Sequence, residues 1–219
     1  LPEAVSLYQQ VLQANPNHPV ALQLLGVTAL QVGNNEDAVA LISKAIAIKP
    51  DYADAHNNLG NALKNMAKMD DALACYQKAI SINPDYADAH SNLGTVLADQ
   101  GRLDEAVASY NKAIAINPGY AEAYFNLANA LLEQGKFDEA FSSFHKNLAI
   151  KPDNADAHFN LGVALKKQGR VAEAIASFKA TITLNPDYAE AYSNLGAILA
   201  DQKNFDEAEQ CFLKVIAIQ

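Results

Sequence analysis

The chain has 219 residues, a formal net charge of −9 and a pI near 4.9; 50% of its residues are hydrophobic and 19% are charged. An acidic chain excludes nucleic acid and anionic lipid as main partners, because both are held by basic surfaces. No apolar run approaches the roughly 18 residues that cross a bilayer, so no membrane partner is expected.

The first fourteen residues read as one helix. Leu1, Ala4, Val5, Tyr8, Val11 and Leu12 recur along a single helical face. Asn15-Pro16-Asn17 forms a turn, and PVALQLLGVTALQ starts at Pro19. Related segments follow: ADAHNNLGNALKN from Ala53, ADAHSNLGTVLAD from Ala87, AEAYFNLANALLE from Ala121, ADAHFNLGVALKK from Ala155 and AEAYSNLGAILAD from Ala189. Each starts 34 residues after the last. A fixed period of this length signals stacked repeats, whose units touch only their neighbours.

Positions are counted here from the start of each copy. Position 8 is Gly in five copies and Ala128 in the other; position 20 is always Ala, from Ala38 to Ala208. Two helices approach closely only where facing residues are small, so Gly60, Ala72 and Ala79 are expected to form that contact. Leu59, Ala62, Leu63 and Met66 form the buried stripe of the first helix. Gly101 ends the first helix of its copy in a left-handed turn. Ala67 and Lys203 occupy that slot in two copies, at a cost of about 1 kcal/mol, which predicts locally different turns there. Asp70, Asp104, Asp138 and Asp206 begin second helices and complement the helix dipole. Pro84 stops the second helix, and the sequence predicts it in the first turn of the next helix with Asn83 as N-cap. Asn147 and Thr181 stand where other copies carry Ala45, Ala79 and Ala113.

This pattern of Leu59-Gly60, Ala72, Tyr76, Ala79 and Pro84 resembles the tetratricopeptide repeat, a helix–turn–helix unit. The resemblance covers the whole chain, as a half repeat in 1–18 and repeats in 19–52, 53–86, 87–120, 121–154, 155–188 and 189–219. It implies an all-α, right-handed superhelical solenoid of antiparallel helix pairs, about thirteen helices in a single array. The pattern opens on a second helix and shows no polar capping helix after Gln219. The expectation is therefore a segment of a longer chain with apolar faces at both ends and possible end-to-end self-association. Cys75 and Cys211 share position 23 four repeats apart and cannot bridge within one array, so free thiols are expected, in a reducing, cytoplasmic setting.

Positions 2, 5, 6, 9, 12 and 13 fall on one helical face. In the second copy these are Asp54, Asn57, Asn58, Asn61, Lys64 and Asn65, all polar. The family resemblance implies that this face lines the inside of the superhelix. Position 6 is Asn58, Asn92, Asn126, Asn160 and Asn194, with Leu24 in the first copy; Asn129 shares position 9 with Asn61. An amide donates and accepts, so it can pair with a peptide N–H and C=O together. First helices about 10 Å apart would meet an extended chain roughly every third residue. The alternative is that these amides bond neighbouring helices. Asn-Leu-Gly in this register, within DAHNNLGNALKN and GRLDEAVASYNKAIAINP, is similar to the repeats of O-linked N-acetylglucosamine transferase and its bacterial relatives. That resemblance implies peptide-backbone contacts at the five position-6 asparagines, and a place for the chain as the substrate-recruiting part of a larger glycosyltransferase.

Positions 2, 5, 6 and 9 carry no Lys or Arg, which argues against a clamp for a C-terminal carboxylate. Position 2 is acidic in five copies: Asp54, Asp88, Glu122, Asp156 and Glu190. That row favours a basic or neutral peptide, or else simply suits helix N-termini. Phe125 and Phe159 share position 5 in adjacent copies; they are candidate ligand anchors or pack on each other and on the next helix. The first copy is apolar on this face, at Val20, Leu24, Val27 and Leu30, and a further repeat or a partner would cover it. His56, His90 and His158 at position 4 are too far apart to share a metal and are expected to pack. No catalytic pair, phosphate loop or metal spacing appears, so no enzyme activity, cofactor or metal is expected. The sequence thus predicts a protein-interaction scaffold holding an extended peptide.

Overall fold

A computed structural model describes residues 2–218, and Pro2 there by backbone alone; Leu1 and Gln219 lie outside the described residues. Among the described residues the chain forms thirteen α-helices and no strand. After α1 (Pro2–Ala14) come six pairs. They are α2 (Pro19–Gln31) with α3 (Asn35–Ile48), α4 (Ala53–Asn65) with α5 (Met69–Ile82), and α6 (Ala87–Asp99) with α7 (Leu103–Ile116). Next are α8 (Ala121–Glu133) with α9 (Phe137–Ile150), α10 (Ala155–Lys167) with α11 (Val171–Leu184), and α12 (Ala189–Asp201) with α13 (Phe205–Ile218). The helices group into two compact units, Leu1–Pro118 and Gly119–Gln219. Each pair packs on itself most extensively, and within each unit the second helix of one pair packs on the first helix of the next.

Position 8 explains why the pairs close so tightly. A Cβ built on Gly60 would sit 2.6 Å from the Tyr76 ring, and one on Gly94 would sit 2.7 Å from Tyr110. The glycine is the floor on which a buried ring at position 24 lies. Tyr76 and Phe178 are fully buried, and Tyr110 nearly so. In the fourth copy Ala128 replaces the glycine and Phe144 is the ring, both fully buried. Ala72 and Ala79 lie on the same stripe as Tyr76, one turn before and one turn after it, and bury completely.

The turn inside each pair corrects one expectation. Gly33, Gly101, Gly135 and Gly169 have φ between 72° and 80°, but Ala67 (φ 57°) and Lys203 (φ 63°) adopt the same conformation. Their backbone bonds match too: Lys68 N donates to Leu63 O as Arg102 N donates to Leu97 O, each at 2.9 Å. The helix packing imposes the left-handed residue, and Ala67 and Lys203 bear the strain instead of altering the turn. The turn between pairs corrects another. Asn83 does not cap α6. It ends α5, and its Oδ1 accepts from Asp85 N at 3.2 Å while Pro84 lies in the turn. Tyr86 stands at the N-cap without a side-chain cap bond. Side-chain caps appear at His18, whose Nδ1 accepts from Ala21 N, and at Asn34 and Asn154.

Candidate functional site

The first helices of neighbouring pairs lie side by side within each unit, α2 with α4 and α4 with α6 in one, α8 with α10 in the other. The position-6 asparagines lie on these helices and on α12, Asn58 and Asn92 in the first unit and Asn126, Asn160 and Asn194 in the second, and the five amides are not equivalent. Asn92 Nδ2 donates to Asn57 Oδ1 at 3.0 Å, and Asn160 Nδ2 donates to Asn129 Oδ1 at 2.9 Å. Asn194 donates to Glu190 O at 2.9 Å and accepts from Lys166 Nζ at 3.2 Å. Asn58 and Asn126 make no side-chain hydrogen bond among the described residues and are half-buried. Three rungs therefore brace neighbouring repeats and two keep both amide functions open.

The partners of the row are held in turn. Asn57 is only 4% exposed, so it is a support beneath the face rather than part of its surface. Besides accepting from Asn92 it hydrogen-bonds the Tyr86 hydroxyl. Asn61 Oδ1 accepts from the buried Tyr76 hydroxyl at 2.8 Å. Phe125 and Phe159 are half-buried, and neither ring stacks on the other. Phe125 packs edge-on to Phe144 with centroids 6.2 Å apart, and Phe159 packs on Phe178 at 5.9 Å. Each is braced by its own second helix.

One row was not singled out from the sequence: Tyr52, Tyr86, Tyr120 and Tyr188 at position 34. The Tyr188 hydroxyl donates to Asp156 Oδ1 at 3.0 Å, and its ring lies 4.9 Å from that of Phe159. Tyr86 makes the corresponding bond to Asp54, and Tyr52 reaches Gln23 at 3.4 Å. Burial, then the neighbouring carboxylate, pushes the Tyr188 hydroxyl up to about 12 and raises Tyr86 further, so both stay protonated donors. The acidic row at position 2 is thus partly a set of tyrosine acceptors. The available signal was the repeat register itself, which places Tyr86 and Tyr188 each 32 residues after the acid it meets.

The histidines at position 4 anchor loops. His56, His90 and His158 each place Nε2 3.0–3.2 Å from the carbonyl of Pro50, Pro84 or Pro152. A carbonyl only accepts, so Nε2 carries the proton. No cluster able to hold a metal occurs among the described residues, and no helix is long and apolar enough to cross a membrane. Cys75 and Cys211 are both free, Cys211 buried and Cys75 half-buried.

Family models described as TPR repeat match residues 94–135, 128–169 and 164–203. Others described as tetratricopeptide repeat match 1–61, 53–86, 75–108 and 189–219. The chain belongs to the tetratricopeptide repeat family. No curated protein matches it significantly. Among solved structures it is similar to PilF of Pseudomonas aeruginosa (TM-score 0.82, 24% identity, 90% of each chain covered). It is also similar to MamA (TM-score 0.69, 25% identity, covering 73% of this chain and 94% of that one). A third is YrrB, described as a TPR protein with an unusual peptide-binding site (TM-score 0.68, 24% identity, covering 84% and 95%). At these identities PilF and YrrB support the fold alone.

Proposed function

We propose that the chain is a non-enzymatic interaction scaffold whose first-helix face binds an extended peptide through its asparagine row. Asn58 and Asn126 make the primary main-chain contacts, because their amides are not engaged by the protein. Asn92, Asn160 and Asn194 add the acceptor and donor capacity left over from their inter-repeat bonds, while Asn57 and Asn129 each hold one rung and Asn61 is tied to Tyr76 beside them. The carrying observation is one uncommitted amide in each unit, Asn58 in the first and Asn126 in the second, among position-6 amides that are otherwise braced. A peptide-binding site in YrrB, a protein of the same fold, is consistent with this use.

The test uses a pooled library of short unstructured peptides and the Asn58→Ala/Asn126→Ala variant. Affinity should fall about tenfold or more, the worth of one or two lost hydrogen bonds to a peptide, with an unchanged melting temperature. Equal affinity of variant and native chain would show that the row is structural.

A second reading rests on the terminal helices. Leu7 (60% exposed), Leu213 (50%) and Ile216 (72%) present apolar surface on α1 and α13. We propose that these faces support end-to-end association; mass that rises with concentration, and ceases to rise in an Ile216→Lys variant, would support it. A role as the recruiting region of a glycosyltransferase rests on the similarity of its repeats and would be supported by a sugar-nucleotide domain in the same polypeptide.

A further inference from the structure

One junction between repeats departs from the rest at two coupled positions. At the three junctions before it a small Ala at position 27 accompanies a Tyr at position 34, Ala45 with Tyr52, Ala79 with Tyr86 and Ala113 with Tyr120, and the junction after it pairs Thr181 with Tyr188. At the α9–α10 junction both change, to Asn147 and Asn154. Asn147 is 1% exposed; its Nδ2 donates to Ala121 O at 2.7 Å and its Oδ1 accepts from Asn154 Nδ2 at 3.0 Å. Asn154 Oδ1 also caps α10 by accepting from Ala157 N at 3.2 Å. Asn154 is thus turned inward by both ends of its amide.

The junction that follows shows what its position would otherwise hold. There Tyr188 lays its ring on Phe159 and gives its hydroxyl to Asp156. The matching residues one repeat earlier are Phe125 and Glu122. Phe125 makes no ring contact except with Phe144, and Glu122 is exposed and accepts no hydrogen bond, among the described residues. One aromatic floor and one carboxylate are therefore in place with no tyrosine between them.

We propose that the slot formed by Phe125, Glu122 and the start of α10 is a specificity pocket that takes a tyrosine side chain of the bound peptide. The ligand's ring packs on Phe125 and its hydroxyl donates to Glu122, reproducing in trans what Tyr188 does in cis. A carboxylate acceptor prefers tyrosine over phenylalanine, since only the phenol can donate. This inference rests on the peptide-binding reading and adds a side-chain requirement to it.

The experiment compares extended Gly-Ser host peptides carrying one Tyr, Phe or Ala, by fluorescence anisotropy. It is run on the native chain, on Glu122→Ala, and on Asn147→Ala/Asn154→Tyr, which restores the pattern of the other junctions and should fold as they do. The native chain should favour the Tyr host over the Ala host by about tenfold, as an aromatic contact plus a charge-assisted hydrogen bond allows. Glu122→Ala should bring Tyr down to Phe. Asn147→Ala/Asn154→Tyr should bind all hosts equally, at the Ala level, with its melting temperature kept. N-acetyltyrosinamide, titrated against N-acetylalaninamide as control, should shift the Phe125 ring resonances in the native chain and not in Asn147→Ala/Asn154→Tyr. Equal native affinity for Tyr and Ala hosts, both weakened by Asn58→Ala/Asn126→Ala, would overturn the pocket and leave the peptide-binding face standing. Failure of every host to bind, with Phe125 unmoved by the tyrosine probe, would overturn both.

Discussion

The two compact units carry the same helix pair in different chemistry. In the first, position 5 is polar and buried: Gln23, Asn57 and Ser91 lie at 2–5% exposure. In the second, Phe125 and Phe159 take that position and pack on the position-24 rings Phe144 and Phe178. The rings at position 24 follow suit. Tyr76 and Tyr110 send hydroxyls to Asn61 and Thr95, whereas Phe144 and Phe178 have none to place. The backbone accepts either solution because the constraint lies elsewhere, in the small residue at position 8 and the alanine at position 20. The position-6 amide adapts to what its neighbour offers: Asn57 in one unit, Asn129 and Lys166 in the other.

That difference is open to attack by substitution. Gly60→Ala would put a methyl 2.6 Å from a ring that the Asn61 bond holds in place, and should cost about 3 kcal/mol in urea unfolding, at the upper end for an overpacked core. Gly162→Ala meets Phe178 at 2.9 Å with no such bond, and Ala128 already faces Phe144 in the same unit. Its cost should be clearly smaller; equal costs would mean that the hydroxyl anchor is irrelevant. Asn147→Ala alone strands Asn154 and leaves a void in a buried site, for about 1–2 kcal/mol in the second unit. Adding Asn154→Tyr should recover that loss, a coupling that a double-mutant cycle reads directly.

How much of this was legible beforehand divides along the same line. The period, the helix pairs and the close contact at position 8 were readable because each recurs and each needs a small or φ-restricted residue. The fate of single side chains was not. Asn83 looks like an N-cap by type, yet the chain turns at Pro84 and uses it to close an Asx turn. Ala67 and Lys203 look like breaks in a glycine pattern, yet packing of the flanking helices outweighs a local cost of about 1–2 kcal/mol for a left-handed residue. Nothing in the identity of Asn92 or Asn126 says that one is bonded and the other open; Asn92 is bonded because Asn57 stands at position 5 of the preceding copy. The Tyr–Asp bonds were within reach, because the two rows keep a constant separation.

Smaller effects sharpen the same comparison. Ala67→Gly and Lys203→Gly relieve a positive φ, one in each unit, and each should stabilise by up to about 1 kcal/mol with no change in the turn. Cys75, half-buried in the first unit, has its thiol pushed up to about 11 by burial and then by Asp71. A raised value means that the folded state holds its proton more tightly. Its contribution is therefore complete below the ordinary thiol range near 9 and is lost as pH rises toward about 11. A Cys75→Ala variant should show a shallower alkaline decline in stability between those values, and iodoacetamide should label the native thiol slowly at pH 8.

The side-chain amide resonances of the asparagine row report most directly on whether it touches a peptide. With the chain labelled at asparagine and the pooled unstructured peptides added, the Asn58 and Asn126 amides should move most. Asn92, Asn160 and Asn194 should follow, and the buried Asn147 should stay fixed. A titration in which peptides bind while these five amides remain unmoved would place the ligand on another face and contradict the asparagine row as a binding site.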